Sequence, residues 1–425
     1  MLRLGRLCAL IALLGFLCGQ DAGSESKQES ACVECHKKIQ PNIVADWQKG
    51  KHAEIGMGCE ICHGEEHKSA EDVQKVTIPG AHFCGSCHFD QLGQFKKGKH
   101  AAAWVAMKAM PTVHFQPMEL IDGKKGCGGC HKIGLKEDAE IERLKKAGET
   151  YGVVSCDSCH TRHLFSKKEA QQPEACQTCH MGFDHPQYEM YSSSKHGVRY
   201  ALKAKGILPE AAAAPTCQTC HMPGGDHTNI TAWGFLAVRL PMPEDKEWAA
   251  DRATILQALG VLDPDGKPTA RLDLVKVGNV ARLTQEEWQK ERNRMVKTCS
   301  QCHAEKFAKD ELNAADGMIK RADQLLAEAI RVVAALYKDG VLKKPEGYAS
   351  AFPDLLTFHD ATTPIEQKLF KMFMEHRMRT FQGAFHNNPD YALWYGWSAM
   401  RTDLVEIKDM AEQLRRRSQR SAAGS

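Results

Sequence analysis

The pattern Cys-x-x-Cys-His occurs eight times in this chain of 425 residues, and it leaves the polypeptide little freedom. The copies are Cys32-Cys35-His36, Cys59-Cys62-His63, Cys84-Cys87-His88, Cys127-Cys130-His131, Cys156-Cys159-His160, Cys176-Cys179-His180, Cys217-Cys220-His221 and Cys299-Cys302-His303. They use sixteen of the 18 cysteines; the other two, Cys8 and Cys18, lie in an apolar N-terminal stretch. Zinc sites and redox dithiols also use Cys-x-x-Cys pairs, but neither needs a histidine after every pair, and nor does a disulfide framework. Covalent haem c needs all three residues. Two thiols add to the vinyl groups, and the adjoining imidazole reaches the iron. The sequence therefore predicts eight covalently bound haem c groups and their iron.

Haem c is attached outside the cytoplasm, and the N-terminus agrees with export. MLRLGRLCALIALLGFLCG carries Arg3 and Arg6 ahead of a short apolar run, then turns polar. Residues 1–23 read as a cleaved signal peptide and predict a periplasmic protein. No later stretch is long and apolar enough to cross a bilayer. The formal net charge of +3 falls further once Arg3 and Arg6 are removed, and the haem propionates make the holoprotein acidic. Nucleic-acid binding is not expected. The basic runs KKGKH and RRRSQR read as solvated faces or propionate partners.

A mainly α chain follows, in two parts. Residues 24–305 carry the haem motifs, broken up by Gly, Pro and polar stretches, so short helices and loops must wrap stacked porphyrins that serve as the core. Residues 239–298 lack a motif until Cys299, and LPMPEDKEW, LDPDGKP and LTQEEWQKE read as surface excursion and helix starts. Residues 306–425 form a long-helix domain suited to oligomerisation. Phe307, Leu312, Ile319, Leu326, Ile330 and Val333 recur at helical spacing up to a stop at Asp339-Gly340. A second helix opens with Thr363 as N-cap, Pro364 in the first turn and Glu366 completing a capping box. A third carries Leu404, Ile407, Met410 and Leu414.

Twelve of the 20 histidines stand outside the motifs: His52, His67, His82, His100, His114, His163, His185, His196, His227, His359, His376 and His386. An electron-transfer haem is usually closed on both faces, whereas a catalytic haem keeps one face open. Twelve imidazoles are enough to close seven haems and leave some for acid–base work. Three stretches, WQKGKHAEI, FKKGKHAAAW and YSSSKHGVRY, put a Lys-His pair a dozen or so residues after a motif, where a returning ligand would sit.

GCGGCH, CDSCHTRHLF, PEACQTCHMGFDH, SKHG, TCQTCHM with HTNIT, and TCSQCHAEKFA follow one another across nearly the whole mature chain. In order and spacing they resemble the octahaem hydroxylamine oxidoreductase family. The resemblance implies that the fourth haem, on Cys127 and Cys130 with His131 as its proximal ligand, is the catalytic one. It implies that Asp184 and His185 are the acid–base pair over its open face. It puts distal ligands at His52, His67, His100, His163, His196, His227 and His386, and leaves His82, His114, His359 and His376 without a role. It also implies a homotrimer.

Members of that family that oxidise hydroxylamine carry a tyrosine joined to the catalytic haem of a neighbouring subunit. Here the corresponding stretch, NPDYALWYGW, is one residue shorter. Tyr391 and Tyr395 are near, as possible crosslink residues, but out of register. A second active-site tyrosine has no counterpart in AWGFLAVRL. The expected reaction is therefore reduction of nitrite and hydroxylamine to ammonium, with electrons from a partner cytochrome or a quinol-linked donor. Hydroxylamine oxidation to nitric oxide or nitrite is the alternative. A cytochrome that only transfers electrons, with His185 as an eighth distal ligand, is the second alternative.

Overall fold

The computed structural model describes residues 30–109, 126–149, 151–229, 231, 233–234, 236–272, 283–344, 350–356 and 361–423. The leader, His114 and His359 lie outside them. The fold is mainly α. Among the described residues the only β-type pairing is an isolated bridge between Leu262 and Pro268.

No described helix between residues 30 and 229 exceeds the ten residues of Lys195–Ala204. The breaks follow from the sequence. Gly50, Gly58 and Gly98 adopt extended backbone at helix boundaries, and Pro41 opens the helix Pro41–Lys49. Such short pieces bury little: the apolar cluster in this half is Trp104, Met107, Ile141, Leu144 and Val153. Most of the interior is instead a continuous cavity of about 3330 Å³ into which the motif cysteines and histidines face. That is several times the roughly 300–1,000 Å³ of a single-ligand pocket.

The C-terminal half has a conventional core. The helix Glu305–Lys338 spans the bounds expected from its apolar spacing and stops before Gly340, whose φ of 67° suits a residue without a Cβ. It buries Ile319, Leu326, Ile330 and Val333. Against it pack the helix Pro364–Lys371, which continues through a π-helical turn, Met372–Arg377, into Met378–Phe385, and the helix Ala399–Ala423, preceded by a second π-helical segment, Asp390–Ser398.

Two expectations need correction. Thr363 is the N-cap residue, but no capping box forms. Its hydroxyl donates to Glu366, whose other oxygen accepts from the Tyr337 hydroxyl, so the carboxylate faces the long helix rather than the cap backbone. Nor is residues 239–272 a surface excursion. Its helix Lys246–Ala258, capped by Asp245, buries Ile255 and Leu256 in the same core as Leu326 and Ile330. It also buries Arg252, which meets Asp323 at 3.1 Å, while Arg377 reaches the other oxygen of Asp323 at 2.8 Å. The helix start expected at LTQEEWQKE is present as Gln285–Cys299, with a capping box between Thr284 and Glu287. Among the described residues no helix is long and apolar enough to cross a membrane.

Candidate haem-binding and active site

Each motif folds as a helical or tight turn. The histidine N–H donates to the carbonyl of the first cysteine, as in His88 to Cys84 at 2.9 Å, His131 to Cys127 at 3.0 Å and His303 to Cys299 at 3.0 Å. That turn gathers both thiols and the imidazole on one side. All sixteen motif cysteines are free. Among the described residues no three His, Cys, Asp or Glu side chains converge as a metal ion would need.

The imidazoles come in pairs. Ring centres are 6.2 Å apart for His36 and His67, 6.2 Å for His52 and His88, and 6.0 Å for His63 and His163. They are 6.0 Å apart for His100 and His180, 6.3 Å for His160 and His227, 6.1 Å for His196 and His303, and 6.3 Å for His221 and His386. A metal–imidazole bond of about 2 Å plus about 1.2 Å from nitrogen to ring centre, taken twice, gives about 6.3 Å. The gaps therefore fit an iron held from both sides. Every expected distal histidine stands in one of these pairs, opposite a different motif histidine.

Second nitrogens support the fit. The Nδ1 of His63 lies 2.9 Å from the Thr77 carbonyl, that of His131 2.9 Å from Ala103, that of His227 2.8 Å from Gly225 and that of His386 2.8 Å from Gln382. A carbonyl can only accept, so Nδ1 carries the proton and Nε2 is left for a metal. Burial keeps these rings neutral, as a ligand must be. It lowers His100 and His163 to about 4 and His221 to about 3, each helped by the imidazole opposite.

His131 is the exception among the motif histidines, since no second imidazole pairs with it across such a gap. Its electrostatic neighbours are His185 and Asp184. Nδ1 of His185 is hydrogen-bonded to the Asp184 carboxylate, and its ring centre lies 6.3 Å from that of His180, edge-on at 90°. Burial pulls the pKa of His185 down, but the hydrogen bond and charge of Asp184 outweigh it and the net shift is upward, opposite to the paired imidazoles. The loop carrying this pair is held by the C-terminal half. Gln382 Nε2 donates to the Asp184 carbonyl at 3.2 Å, and Asn388 Nδ2 donates to the Met190 carbonyl at 2.9 Å. Lys136 ties the segment after His131 to the next motif, its ammonium reaching the carbonyls of Lys132, Gly134 at 2.6 Å and Gly152 at 3.3 Å.

The remaining candidates stand apart. Tyr391 and Tyr395 stack at 5.4 Å on the π-helical segment, Tyr395 is exposed, and neither lines the cavity holding His131, Asp184 and His185. His82 is exposed, and His376 is buried against Asp403. The buried Gln382 was missed by sequence reasoning, because nothing near it in the chain marks it.

Contacts between thiols of different motifs order the sites. Cys59 lies near Cys32, Cys62 near Cys84 and Cys87, and Cys84 contacts Cys156. Cys159 lies near Cys176, Cys176 contacts Cys217, and Cys220 lies near Cys299 and Cys302. Cys130 joins this line from the side, at Cys179.

A family described as "Seven times multi-haem cytochrome CxxCH" matches residues 54–252 and 269–347. The chain is 26% identical, over 92% of its length, to a "probable nitrite reductase-hydroxylamine oxidoreductase fusion protein" of Kuenenia stuttgartiensis, and spans about half (52%) of that relative. It is 24% identical over 31% of its length to the polyhaem cytochrome OmcB of Geobacter sulfurreducens, covering 20% of that protein. Its fold is similar to a Kuenenia stuttgartiensis "reducing HAO-like protein complex" at a TM-score of 0.71 and 24% identity, covering 93% of this chain and 86% of the other. It is also similar to a "hypothetical multiheme protein" at 0.65 and 20%, covering 93% and 96%. The chain thus belongs to the multihaem c-type cytochromes with repeated CxxCH motifs, and within them to the hydroxylamine oxidoreductase-like type.

Proposed function

We propose that this is an exported, periplasmic octahaem oxidoreductase that reduces nitrite and hydroxylamine to ammonium. The observation that carries the reading is that seven motif histidines face a second imidazole, whereas His131 faces Asp184 and His185. Haem on Cys127 and Cys130 supplies an open coordination site for the nitrogen atom and a route for electrons. The chain's own residues do the rest. Hydroxylamine takes up two electrons and three protons to give ammonium and water. His185 is placed to donate protons, and Asp184 holds its Nδ1–H so that Nε2 points away from the carboxylate. The line of motifs gives electrons two approaches to Cys179, one from the Cys32 end and one from the Cys299 end, with the Cys127–His131 site beside it.

The relative named above carries both directions in its name, so direction rests on this chain. Tyr391 and Tyr395 lie outside the cavity, which favours an uncrosslinked haem and reduction. Hydroxylamine oxidation requires one of them to reach the haem of a second copy. The donor is a redox-partner cytochrome or a quinol-linked protein, and assembly is as a homotrimer through residues 306–425.

The test uses the purified holoprotein. Mass spectrometry should show eight haem additions, and the ferrous spectrum should shift with carbon monoxide at one haem. Reduced viologen should then drive loss of nitrite and hydroxylamine with ammonium formed. The absence of any carbon monoxide shift would favour an electron-transfer cytochrome. A proteolytic haem peptide joining the Cys127–His131 segment to the Tyr391–Tyr395 segment would favour hydroxylamine oxidation.

A further inference from the structure

We infer that Gln382 is a substrate-contacting residue whose Oε1 accepts a hydrogen bond from an N–H or O–H of a partly reduced nitrogen species held beside Asp184 and His185. The inference deepens the reading above and rests on His131 marking the open site. Gln382 lies on the helix Met378–Phe385 and is 4% exposed. Its main-chain carbonyl accepts from the His386 N–H at 3.0 Å and from His386 Nδ1 at 2.8 Å, so its backbone is fixed by the imidazole that faces His221. Its Nε2 donates to the Asp184 carbonyl at 3.2 Å. That carbonyl can only accept, so the amide cannot be turned round, and Oε1 must point away from Asp184. Oε1 is buried with no hydrogen-bond partner, and Gln382 lines the cavity that holds His131, Asp184 and His185. A buried acceptor without a donor is costly, and one beside an acid–base pair invites a ligand that brings the donor.

The chemistry narrows the ligand. Nitrite, nitric oxide and carbon monoxide have no hydrogen to donate, while hydroxylamine has N–H and O–H. With His185 as donor and Gln382 as acceptor, the site recognises hydroxylamine by both hydrogen-bonding roles and nitrite by one. Gln382 therefore sets preference among nitrogen substrates rather than reactivity of the iron.

The test compares ligands with and without donors on the intact holoprotein. Carbon monoxide is titrated into the ferrous protein. Hydroxylamine binding to the ferric protein is read by stopped-flow before turnover. Gln382→Leu should weaken hydroxylamine binding roughly tenfold or more, as expected when a buried acceptor loses its role in recognition. Its carbon monoxide affinity should stay within about twofold. Gln382→Glu keeps an oxygen acceptor and should retain most of the hydroxylamine affinity. Equal weakening of both ligands in Gln382→Leu would make the residue scaffolding and overturn the inference, as would unchanged hydroxylamine binding. A wild-type protein without a carbon monoxide shift would fail at the earlier step, the open site itself.

Discussion

His185 shows how much one neighbour decides. Paired imidazoles in this chain are pushed toward the neutral form by burial, and His185 is buried too, yet its shift is upward because Asp184 holds its Nδ1. The same residue type serves as ligand in one setting and as proton donor in the other. His185→Ala should slow turnover of hydroxylamine by about 10²–10⁴-fold, the usual scale for a positioned acid. The haem count and the carbon monoxide shift should stay as in the wild type. Full activity measured with reduced viologen would remove the acid–base role. At this scale the chain was legible wherever spacing carries the information. Eight motifs fix the attachment points, and Lys-His pairs point to His52, His100 and His196. Which distal imidazole meets which motif was not legible. His67 faces His36, and His386 faces His221 across 165 residues, which only the folded chain brings together. The weight of Asp184 and His185 came from resemblance rather than from spacing. Gln382 gave no signal at all, because a lone glutamine on an amphipathic helix reads as surface.

Between elements, the strongest constraint is a carboxylate buried between two guanidiniums. Asp323 accepts from Arg252 at 3.1 Å, from Arg377 at 2.8 Å and from the Trp248 indole at 2.9 Å, which pins the helix Lys246–Ala258 and the π-helical turn Met372–Arg377 to the long helix. Asp323→Ala leaves two buried cations without a counter-charge, and should cost about 3–5 kcal/mol of stability in chemical denaturation. A loss under about 1 kcal/mol would show that the arginines find other partners. The long helix was legible because its apolar residues keep one face over nine turns or so. The helix Lys246–Ala258 was not, because it is buried on several sides and carries Asp251 and Arg252 inward, so no face stands out. The π-helical turns escaped for a related reason: an extra residue per turn breaks the helical period that sequence reading relies on.

For the whole molecule, the haem-binding half has almost no apolar core of its own, whereas the C-terminal half has more apolar surface than its own core uses. Leu393 (39% exposed), Trp394 (65%), Tyr395 (55%) and Val405 (65%) lie on the π-helical segment and the helix that follows it, outside the core of that half. Contiguous apolar residues of this size in water mark contact surfaces. A closed ring of identical copies would cover such a patch on every chain without leaving an open edge. We predict that the holoprotein runs as a trimer by light scattering at micromolar concentration. Trp394→Glu places a charge in the patch and should shift the mass to that of one chain while the haem content is unchanged. A wild-type monomer, or a variant that stays trimeric, would sink the assignment of this face. The outcome also bears on direction. Tyr391 and Tyr395 lie on the same segment, so oxidation through a crosslink requires this interface, whereas reduction at the Cys127–His131 site does not. Nitrite and hydroxylamine reduction should therefore survive in the Trp394→Glu monomer at about the wild-type rate per chain.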